Sequence, residues 1–174
     1  MLYKILSQFG HLVKKQEIPS KVNLLQEGKI STKFFFIEKG CLRLYFNHEG
    51  KDITFQFFFE GEVVSSIESF KTNQPSLFAI ESIEPCIIYS ISKRDFELLI
   101  NKSLEIKEIM ENQIFQRLLL YQKLFLSRIK NTPKERYQEL LENSPKLLQR
   151  IPQHYIASFL GITSVSLSRI RNRK

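Results

Sequence analysis

The sequence predicts an α+β fold, with a β-barrel or β-roll in the first part of the chain and helices after it. Three observations favour this fold. From about residue 21 to residue 91, short aromatic and β-branched runs are separated by glycines and charged turns, which is typical of an all-β domain. Residues 104–130 hold neither glycine nor proline, which predicts one long helix. Further along, a glycine at position 161 separates two short helical patterns.

The strands of the β domain are predicted from three aromatic and β-branched runs, KFFFIEKG, CLRLYFNHEGK and ITFQFFFEGE. In the second run, apolar residues alternate from Leu42 to Phe46 and Arg43 faces the other way, so two faces are expected. The segment HEGK predicts a hairpin turn. Residues 80–83 and 86–91 predict two further strands. The glycines suited to the turns are Gly40, Gly50 and Gly61.

The shorter helices are placed by capping residues. Ser92, followed three residues later by an aspartate, resembles a capping box and predicts a short helix. Asn131 or Thr132 can cap another helix over residues 135–144, which stops before Pro145.

The long helix over residues 104–130 carries two apolar stripes. It would reach roughly 40 Å at 1.5 Å per residue, which is longer than a small barrel beside it. One stripe can therefore cover the β domain, and a coiled-coil-like homodimer would bury the other. A single wide surface against the core of a monomer is the alternative. We assign the dimer interface to the stripe of Ile114, Leu118, Tyr121 and Phe125; the other stripe is Phe115, Leu119, Leu126 and Ile129.

Positive charge is concentrated in the last quarter of the chain. Residues 1–127 hold 16 Lys and Arg against 15 Asp and Glu, whereas residues 128–174 hold 10 against 3. A near-neutral body with a basic end predicts a polyanionic partner for that end. A basic surface that serves only solubility is the alternative that charge alone leaves open.

Composition argues against several classes of protein. Cys41 and Cys86 are far apart in the sequence and lack Cys or His at metal-ligand spacing, so we expect no disulfide framework, metal site or cofactor. The sequence shows no secretory signal pattern and no apolar run near the ~20 residues that span a bilayer, so we expect a cytoplasmic protein without membrane association. No nucleophile–base pair or glycine-rich phosphate loop points to an enzyme.

The segment QHYIASFLGITSVSLSRIRNR predicts two helices around a tight turn. Gly161 can take the left-handed conformation that ends the first helix, and the hydroxyl of Thr163 can cap the second. Ala157 is small where the second helix would cross closely. Such a pair is either a helix-turn-helix that binds DNA or a structural hairpin, and the basic end favours DNA. The positions expected to be buried are Ile156, Leu160, Ile162, Leu167 and Ile170.

The outer face of the second helix supplies candidate DNA contacts. In a major groove, Arg169 can pair with guanine and Val165 can meet a thymine methyl group. Neighbouring basic and polar residues suit phosphates, which fix orientation and carry no sequence information. The candidate base contacts are Ser164, Val165, Ser168 and Arg169. The candidate phosphate contacts are Gln153, Thr163, Ser166, Arg171, Arg173 and Lys174.

Three segments in this order resemble the Crp/Fnr superfamily of bacterial transcription regulators: LLQEGKISTKFFFIEKGCLRLYF, FFFEGEVVSS and LLQRIPQHYIASFLGITSVSLSRIR. The last segment is similar to the short C-terminal domains of Bacteroidetes-type members. The resemblance implies an N-terminal double-stranded β-helix (a jelly-roll, cyclic-nucleotide-binding-like domain) over residues 1–103. It further implies a dimerisation helix over 104–130 and a helix-turn-helix domain over 131–174.

The resemblance also implies an effector pocket in the roll, at Gly61, Glu62, Ser76 and Leu77. Gly61 and Glu62 match a glycine–glutamate pair of members that bind cyclic AMP, although the pair can also serve only a turn. Those members hold the cyclic phosphate with an arginine, and this sequence has Ser76 in that place. A buried phosphate without a cation costs several kcal/mol, so we expect no cyclic AMP binding, and any small-molecule effector is unknown.

The predicted function is therefore that of a homodimeric transcription regulator that binds a palindromic double-stranded DNA site. A ligand-binding sensor whose helical end contacts a protein is the alternative. Arg169 matches a DNA-contacting arginine of the family. Ser164 and Val165 stand where many members have arginine and glutamate, so the usual base sequence of the family is not expected.

Overall fold

The computed structural model describes residues 9–172 of the chain. The strands within that range are β1 (Val13–Ile18), β2 (Asn23–Leu25), β3 (Lys33–Lys39), β4 (Leu42–His48), β5 (Lys51–Phe58), β6 (Val63–Val64), β7 (Ala79–Ser82) and β8 (Cys86–Ser92). The helices are α1 (Ile67–Thr72), α2 (Lys93–Lys102), α3 (Leu104–Lys130), α4 (Pro133–Asn143), α5 (Pro145–Arg150), α6 (Gln153–Leu160) and α7 (Ser164–Asn172).

Strands β1–β8 form a β-roll, as the sequence predicts. One antiparallel sheet has the order β1-β8-β3-β6 and the other has the order β2-β7-β4-β5, so the chain passes repeatedly from one sheet to the other. The β4–β5 hairpin closes at the predicted turn, where His48 pairs with Lys51. Glu49 and Gly50 both have positive φ, at 51° and 78°, which suits the right-handed twist of the two strands.

The interior of the roll is apolar. Leu42 and Leu44 of β4 are fully buried there, which confirms the predicted alternation along this strand. Their neighbours in the cluster are Leu25, Phe35, Ile37, Phe58, Val64, Ile80, Cys86 and Ile88. A second cluster joins the other side of β3 to the helices and includes Phe34, Phe36, Phe70, Phe96 and Leu99. Burial of these side chains is the main force that holds the two sheets and the flanking helices together.

Several predicted helix boundaries are confirmed. The hydroxyl of Ser92 accepts a hydrogen bond from the backbone N–H of Asp95, so Ser92 caps α2. The long helix α3 has the predicted bounds. Of the two candidate caps for the next helix, Thr132 caps α4 and forms a capping box with Glu135. Elements that the sequence patterns do not predict one by one include β1, β6 and the short helices α1 and α5.

Neither apolar stripe of α3 is buried along its length against the β domain, as the expected cover would require. Contact with the second cluster comes from Ile106 and Met110, which lie in the first two turns of α3 and are buried. Members of both stripes are exposed, because the buried apolar contacts of α3 with the roll come from the start of the helix. The exposed apolar side chains beyond Met110 are Ile114, Phe115, Leu118, Leu120, Tyr121, Phe125, Leu126 and Ile129.

The C-terminal helices pack directly on the roll. A third apolar cluster combines Cys41 and Phe57 of the roll with Ile156 and Leu160 of α6 and Leu167 of α7. Helix α6 therefore covers the outer side of β5. None of the helices described over residues 9–172 has the length and apolar character needed to cross a membrane.

Candidate functional site

The turn between α6 and α7 has the predicted geometry. Gly161 has φ 69° and ψ 35°, in the left-handed region, and it ends α6. The backbone N–H of Ile162 donates to the carbonyl of Ala157 at 3.0 Å, which satisfies one of the last carbonyls of the helix. The hydroxyl of Thr163 accepts from the N–H of Ser166 at 3.1 Å and so caps α7.

Helix α7 has one buried and one exposed side. Leu167 is buried in the third cluster, and Ile170 is half-buried beside it. On the opposite side Val165, Ser168 and Arg169 are exposed, as is Ser164 at the start of the helix. All four predicted base-contact residues therefore lie on the accessible part of α7. Arg169 has no ion-pair partner among residues 9–172, so its guanidinium is available to a ligand.

Four of the six predicted phosphate-contact residues lie within the described part of the chain. Gln153, Thr163 and Arg171 are exposed, and Ser166 is half-buried beside Thr163. Arg173 and Lys174 lie outside the described residues.

A groove of about 410 Å³ runs between α7 and the start of α4. Ser166 and Arg169 line it on one side, and Thr132 and Lys134 line it on the other. The exposed Lys134 therefore lies beside the candidate surface, and the sequence reasoning did not single it out. Its only signal in the sequence is its place in the basic segment after residue 127.

Arg43 joins the roll to α6. It is only 3% exposed, and its guanidinium donates to Glu81 at 2.6 Å, to Thr54 at 3.0 Å and to Asp52 at 3.0 Å. The guanidinium carbon lies 3.9 Å from the ring centre of Tyr45 and 4.3 Å from that of Tyr155 on α6. A buried arginine with two carboxylate partners and two aromatic faces fixes the position of α6 on β4.

A second arginine, Arg150 at the end of α5, joins the same two regions. Its guanidinium donates to both oxygens of Glu60, at 2.9 and 2.5 Å, and also pairs with Glu84. The hydrogen bonds from Arg150 lower the pKa of Glu60 from 4.5 to about 2. The two carboxylates in turn raise the pKa of Arg150, so Arg150 and Glu60 are both charged at neutral pH. Arg150 also borders a surface cleft of about 770 Å³ at the end of the roll, beside Pro19 and Pro85.

The residues of the predicted effector pocket are engaged in contacts within the protein. Gly61 has φ 83° in the turn after β5, as the turn interpretation requires. Glu62 accepts the backbone N–H of Phe59 with one carboxylate oxygen, at 2.7 Å, and pairs with Arg117 of α3 through the other. Glu62 thus links the roll to the long helix.

Ser76 and Leu77 differ in their surroundings. Ser76 is buried, and its hydroxyl bonds the Ser66 hydroxyl at 2.9 Å and the Phe78 carbonyl at 2.7 Å. Leu77 is 71% exposed. A cavity of about 60 Å³ between the roll and α3 is lined instead by neighbours, among them Phe58, Ser65, Ile67, Arg117 and Tyr121. The four predicted residues are therefore not gathered around this cavity.

The residues assigned to a dimer interface are all exposed. Ile114, Leu118, Tyr121 and Phe125 lie on α3 beyond Ile106 and Met110, its buried apolar contacts with the roll. Ile114 and Tyr121 also border the small cavity, so they lie at the side of α3 nearest the roll.

The cysteines are buried single thiols. Burial raises the pKa of Cys41, and it raises the pKa of Cys86 to about 11, so both thiols are protonated and unreactive at neutral pH. Within residues 9–172, no three His, Cys, Asp or Glu side chains are grouped as metal ligands would be.

A family model described as the cyclic nucleotide-binding domain matches residues 15–103, which include all strands but the first two residues of β1. No curated protein matches the chain in sequence.

Solved structures share the fold over nearly the whole chain. A mutant of CooA from Carboxydothermus hydrogenoformans has a TM-score of 0.80 at 17% identity, over 98% of this chain and 82% of that one. CLP of Xanthomonas campestris, described as a c-di-GMP-responsive global regulator that links cell–cell signalling to virulence gene expression, has 0.78 at 15%, over 97% and 89%. FixK2 from Bradyrhizobium japonicum has 0.77 at 16%, over 92% and 83%. At these identities the similarity establishes the fold alone.

Proposed function

Because this chain belongs to the cyclic nucleotide-binding domain family, we propose that it is a homodimeric, sequence-specific DNA-binding transcription regulator of the Crp/Fnr type. Its β-roll and C-terminal helices match the fold of Crp/Fnr regulators. In this proposal residues 1–103 form the sensor domain, 104–130 the dimerisation helix and 131–174 the DNA-binding domain. The observation that carries the proposal is the exposed side of α7, which follows a capped tight turn and presents Val165, Ser168 and Arg169.

The side chains of α7 suit a major groove. Arg169 has no ion-pair partner within residues 9–172, and its guanidinium has the fork of donors that guanine accepts. Val165 is a small apolar side chain that fits a thymine methyl group. Ser164 and Ser168 can exchange hydrogen bonds with base edges. The burial of Leu167 fixes the rotation of α7, so these four side chains face outward together.

Phosphate contacts would orient this helix. Thr163, Ser166, Arg171 and Gln153 are the described candidates, and Lys134 across the groove joins them. The excess of positive charge after residue 127 supports the same face as the nucleic-acid surface. Arg173 and Lys174 stay predicted phosphate contacts.

The exposed part of α3 supports a homodimer. Monomeric proteins rarely expose apolar patches larger than a few hundred Å², and this helix exposes eight large apolar side chains beyond Met110. That exposure argues against the alternative above, a wide surface buried against the core of a monomer. A second copy of the same helix would cover the patch by coiled-coil packing.

Side-chain exposure refines which residues form the centre of that interface. Leu118, Phe125 and Ile129 are 62–67% exposed, and Phe115 is 55% exposed, whereas Tyr121 beside the roll is 39% exposed. The four most exposed of these residues and Gln122 are spaced alternately three and four positions apart, at 115, 118, 122, 125 and 129, as a coiled-coil seam requires. The proposed seam is Phe115, Leu118, Gln122, Phe125 and Ile129, flanked by Ile114, Leu119, Tyr121 and Leu126. Of the four residues assigned from the sequence, two are central and two are at the edge.

The proposal does not include cyclic AMP as an effector. Ser76 stands where the family resemblance places a phosphate-binding arginine, and its hydroxyl is already bonded to Ser66 and Phe78. A cyclic phosphate placed there would be buried without a cation.

The test is selection of DNA from a library of random double-stranded sequences, followed by fluorescence anisotropy on the selected site at several salt concentrations. We expect a two-fold symmetric site that is bound far more tightly than random DNA, with an affinity that falls steeply as salt rises. If no DNA sequence is enriched and the helical end captures a protein partner, the alternative of a sensor that contacts a protein is favoured.

A further inference from the structure

The carboxylate of Glu62 has a partner inside the protein, supplied by the long helix. The guanidinium of Arg117 pairs with one oxygen of Glu62, and its central carbon lies 4.0 Å from the ring centre of Phe58. The other oxygen of Glu62 accepts the N–H of Phe59. The side chain of Arg117 is 14% exposed and that of Glu62 is 32% exposed, so the ion pair is partly shielded from water.

A neighbouring contact joins the same two segments. The side-chain amide of Gln113, one turn before Arg117 on α3, donates to the carbonyl of Gly61 at 3.4 Å. The turn Gly61–Glu62 is therefore held from both its backbone and its side chain by α3. These contacts fix the angle at which the long helix leaves the roll.

The space left between the roll and α3 is small. The cavity there measures about 60 Å³, whereas pockets that bind small organic ligands measure roughly 300–1,000 Å³. Apolar side chains such as Leu44, Phe58 and Ile80 fill the roll beside it. An organic effector of that size does not fit the cavity while Arg117 stays paired with Glu62.

We propose that Arg117 acts as a built-in ligand of the roll, so that the protein binds DNA without a small-molecule effector. This inference rests on the DNA-binding function proposed above. In a two-state regulator, an effector stabilises the active arrangement through contacts that exist in that arrangement alone. Here the contacts come from a side chain of the same polypeptide. The candidate DNA face of α7 is exposed while they are in place, so the arrangement they stabilise leaves that face accessible to DNA.

The first test compares Arg117→Gln with Lys123→Gln, which removes the same charge from an exposed position of the same helix. We expect Arg117→Gln to bind the selected DNA on the order of tenfold more weakly, as loss of a charged hydrogen bond predicts, and Lys123→Gln to bind like the wild type. Circular dichroism checks that both variants fold, and Arg117→Lys, which keeps the charge, should recover part of the affinity. Equal affinities for the two glutamine variants would overturn the inference.

The second test asks whether any small molecule is needed. DNA selection is carried out with extensively dialysed protein, alone and with an ultrafiltrate of bacterial cell extract that contains only small molecules. The unfolding temperature is measured in both conditions, and also with cyclic AMP and cyclic di-GMP. We expect the same site to be selected in both conditions and no rise in the unfolding temperature.

The outcomes separate the two proposals. Selection of a site only with the ultrafiltrate, or a rise in unfolding temperature with any of these additions, leaves DNA binding intact and overturns the built-in ligand. A failure to select DNA in either condition overturns the proposed DNA-binding function, and the inference that rests on it falls too.

Discussion

Arg150 and Glu60, 90 positions apart in the sequence, form a bidentate ion pair with nitrogen–oxygen distances of 2.9 and 2.5 Å. Arg150 ends α5 and Glu60 follows β5, so the pair fastens the C-terminal helices to the roll. Arg43 makes a second contact between the roll and these helices, over the ring of Tyr155 on α6. The location of the candidate DNA-binding helix therefore depends on charged contacts with the roll as well as on the apolar cluster beneath it.

The Arg150–Glu60 pair predicts a dependence of stability on acid pH. Because the pKa of Glu60 is lowered from 4.5 to about 2, its charge stabilises the folded state at pH values above 4.5, and that contribution is lost as the pH falls toward 2. We expect the free energy of unfolding in urea to fall less steeply over this range for Glu60→Gln than for the wild type. Glu97→Gln, at an exposed position, is the control and should retain the wild-type slope. Parallel curves for wild type and Glu60→Gln would contradict the prediction.

Replacement of Arg43 should be costly. Arg43→Gln would leave the buried carboxylate of Glu81 without its partner, and loss of one member of a buried ion pair typically costs about 3–5 kcal/mol. The measurement is chemical unfolding followed by circular dichroism. Arg94→Gln, at an exposed site of α2, should change stability by less than about 0.5 kcal/mol. A similar small loss in both variants would show that Arg43 contributes little to the fold.

Arg169 and Arg171 are expected to differ in what they recognise. Arg169→Ala should cost about 1–3 kcal/mol on the selected site and relax the preference at one base position, because a base contact is lost. Arg171→Ala should weaken specific and random DNA by similar factors and reduce the salt dependence, because a phosphate contact is lost. Anisotropy titrations on a set of single-base variants of the site measure both effects. If Arg169→Ala weakens all sequences equally, Arg169 does not read a base.

The proposed coiled-coil seam predicts which substitutions dissociate the dimer. The double variant Leu118→Glu and Phe125→Glu should be monomeric in light scattering, because four carboxylates would face one another in the seam. Gln116→Glu and Lys123→Glu, at positions of α3 outside the seam, form the matched control and should stay dimeric. To test the register, Ile129→Ala should weaken the dimer more than Tyr121→Ala. The opposite order would restore the interface assigned from the sequence alone.

The sequence predicts local structure well where neighbouring residues determine it. The bounds of α3, the cap at Ser92 and the turn at Gly161 depend on residues within a few positions, and the structure has them as predicted. Strand β1 lacks an apolar pattern, because four of its six side chains are polar or charged. Helix α5 was missed because it is one and a half turns long and lies between two prolines.

Contacts between the three parts of the molecule could not be predicted in this way. Arg43, Arg117 and Arg150 find their partners 38, 55 and 90 positions away, and a charged residue in a single sequence carries no sign of so distant a partner. The sequence did predict that Arg43 faces away from the interior of the roll. It could not predict that α6 covers that outer face. The exposed side of α7 was predictable, because the spacing of Leu167 and Ile170 fixes which side of the helix faces outward.

The molecule has three parts, the roll, the long helix and the C-terminal helices, and each part contacts the other two. Arg117 joins helix to roll, Arg128 of α3 donates to the carbonyl of Phe159 on α6, and Arg150 joins α5 to the roll. Because each part is held by two of these contacts, it cannot rotate unless at least one of them breaks. The three parts should therefore melt together, in a single calorimetric transition with equal calorimetric and van't Hoff enthalpies. Loss of one of these three arginine contacts should divide that transition into two.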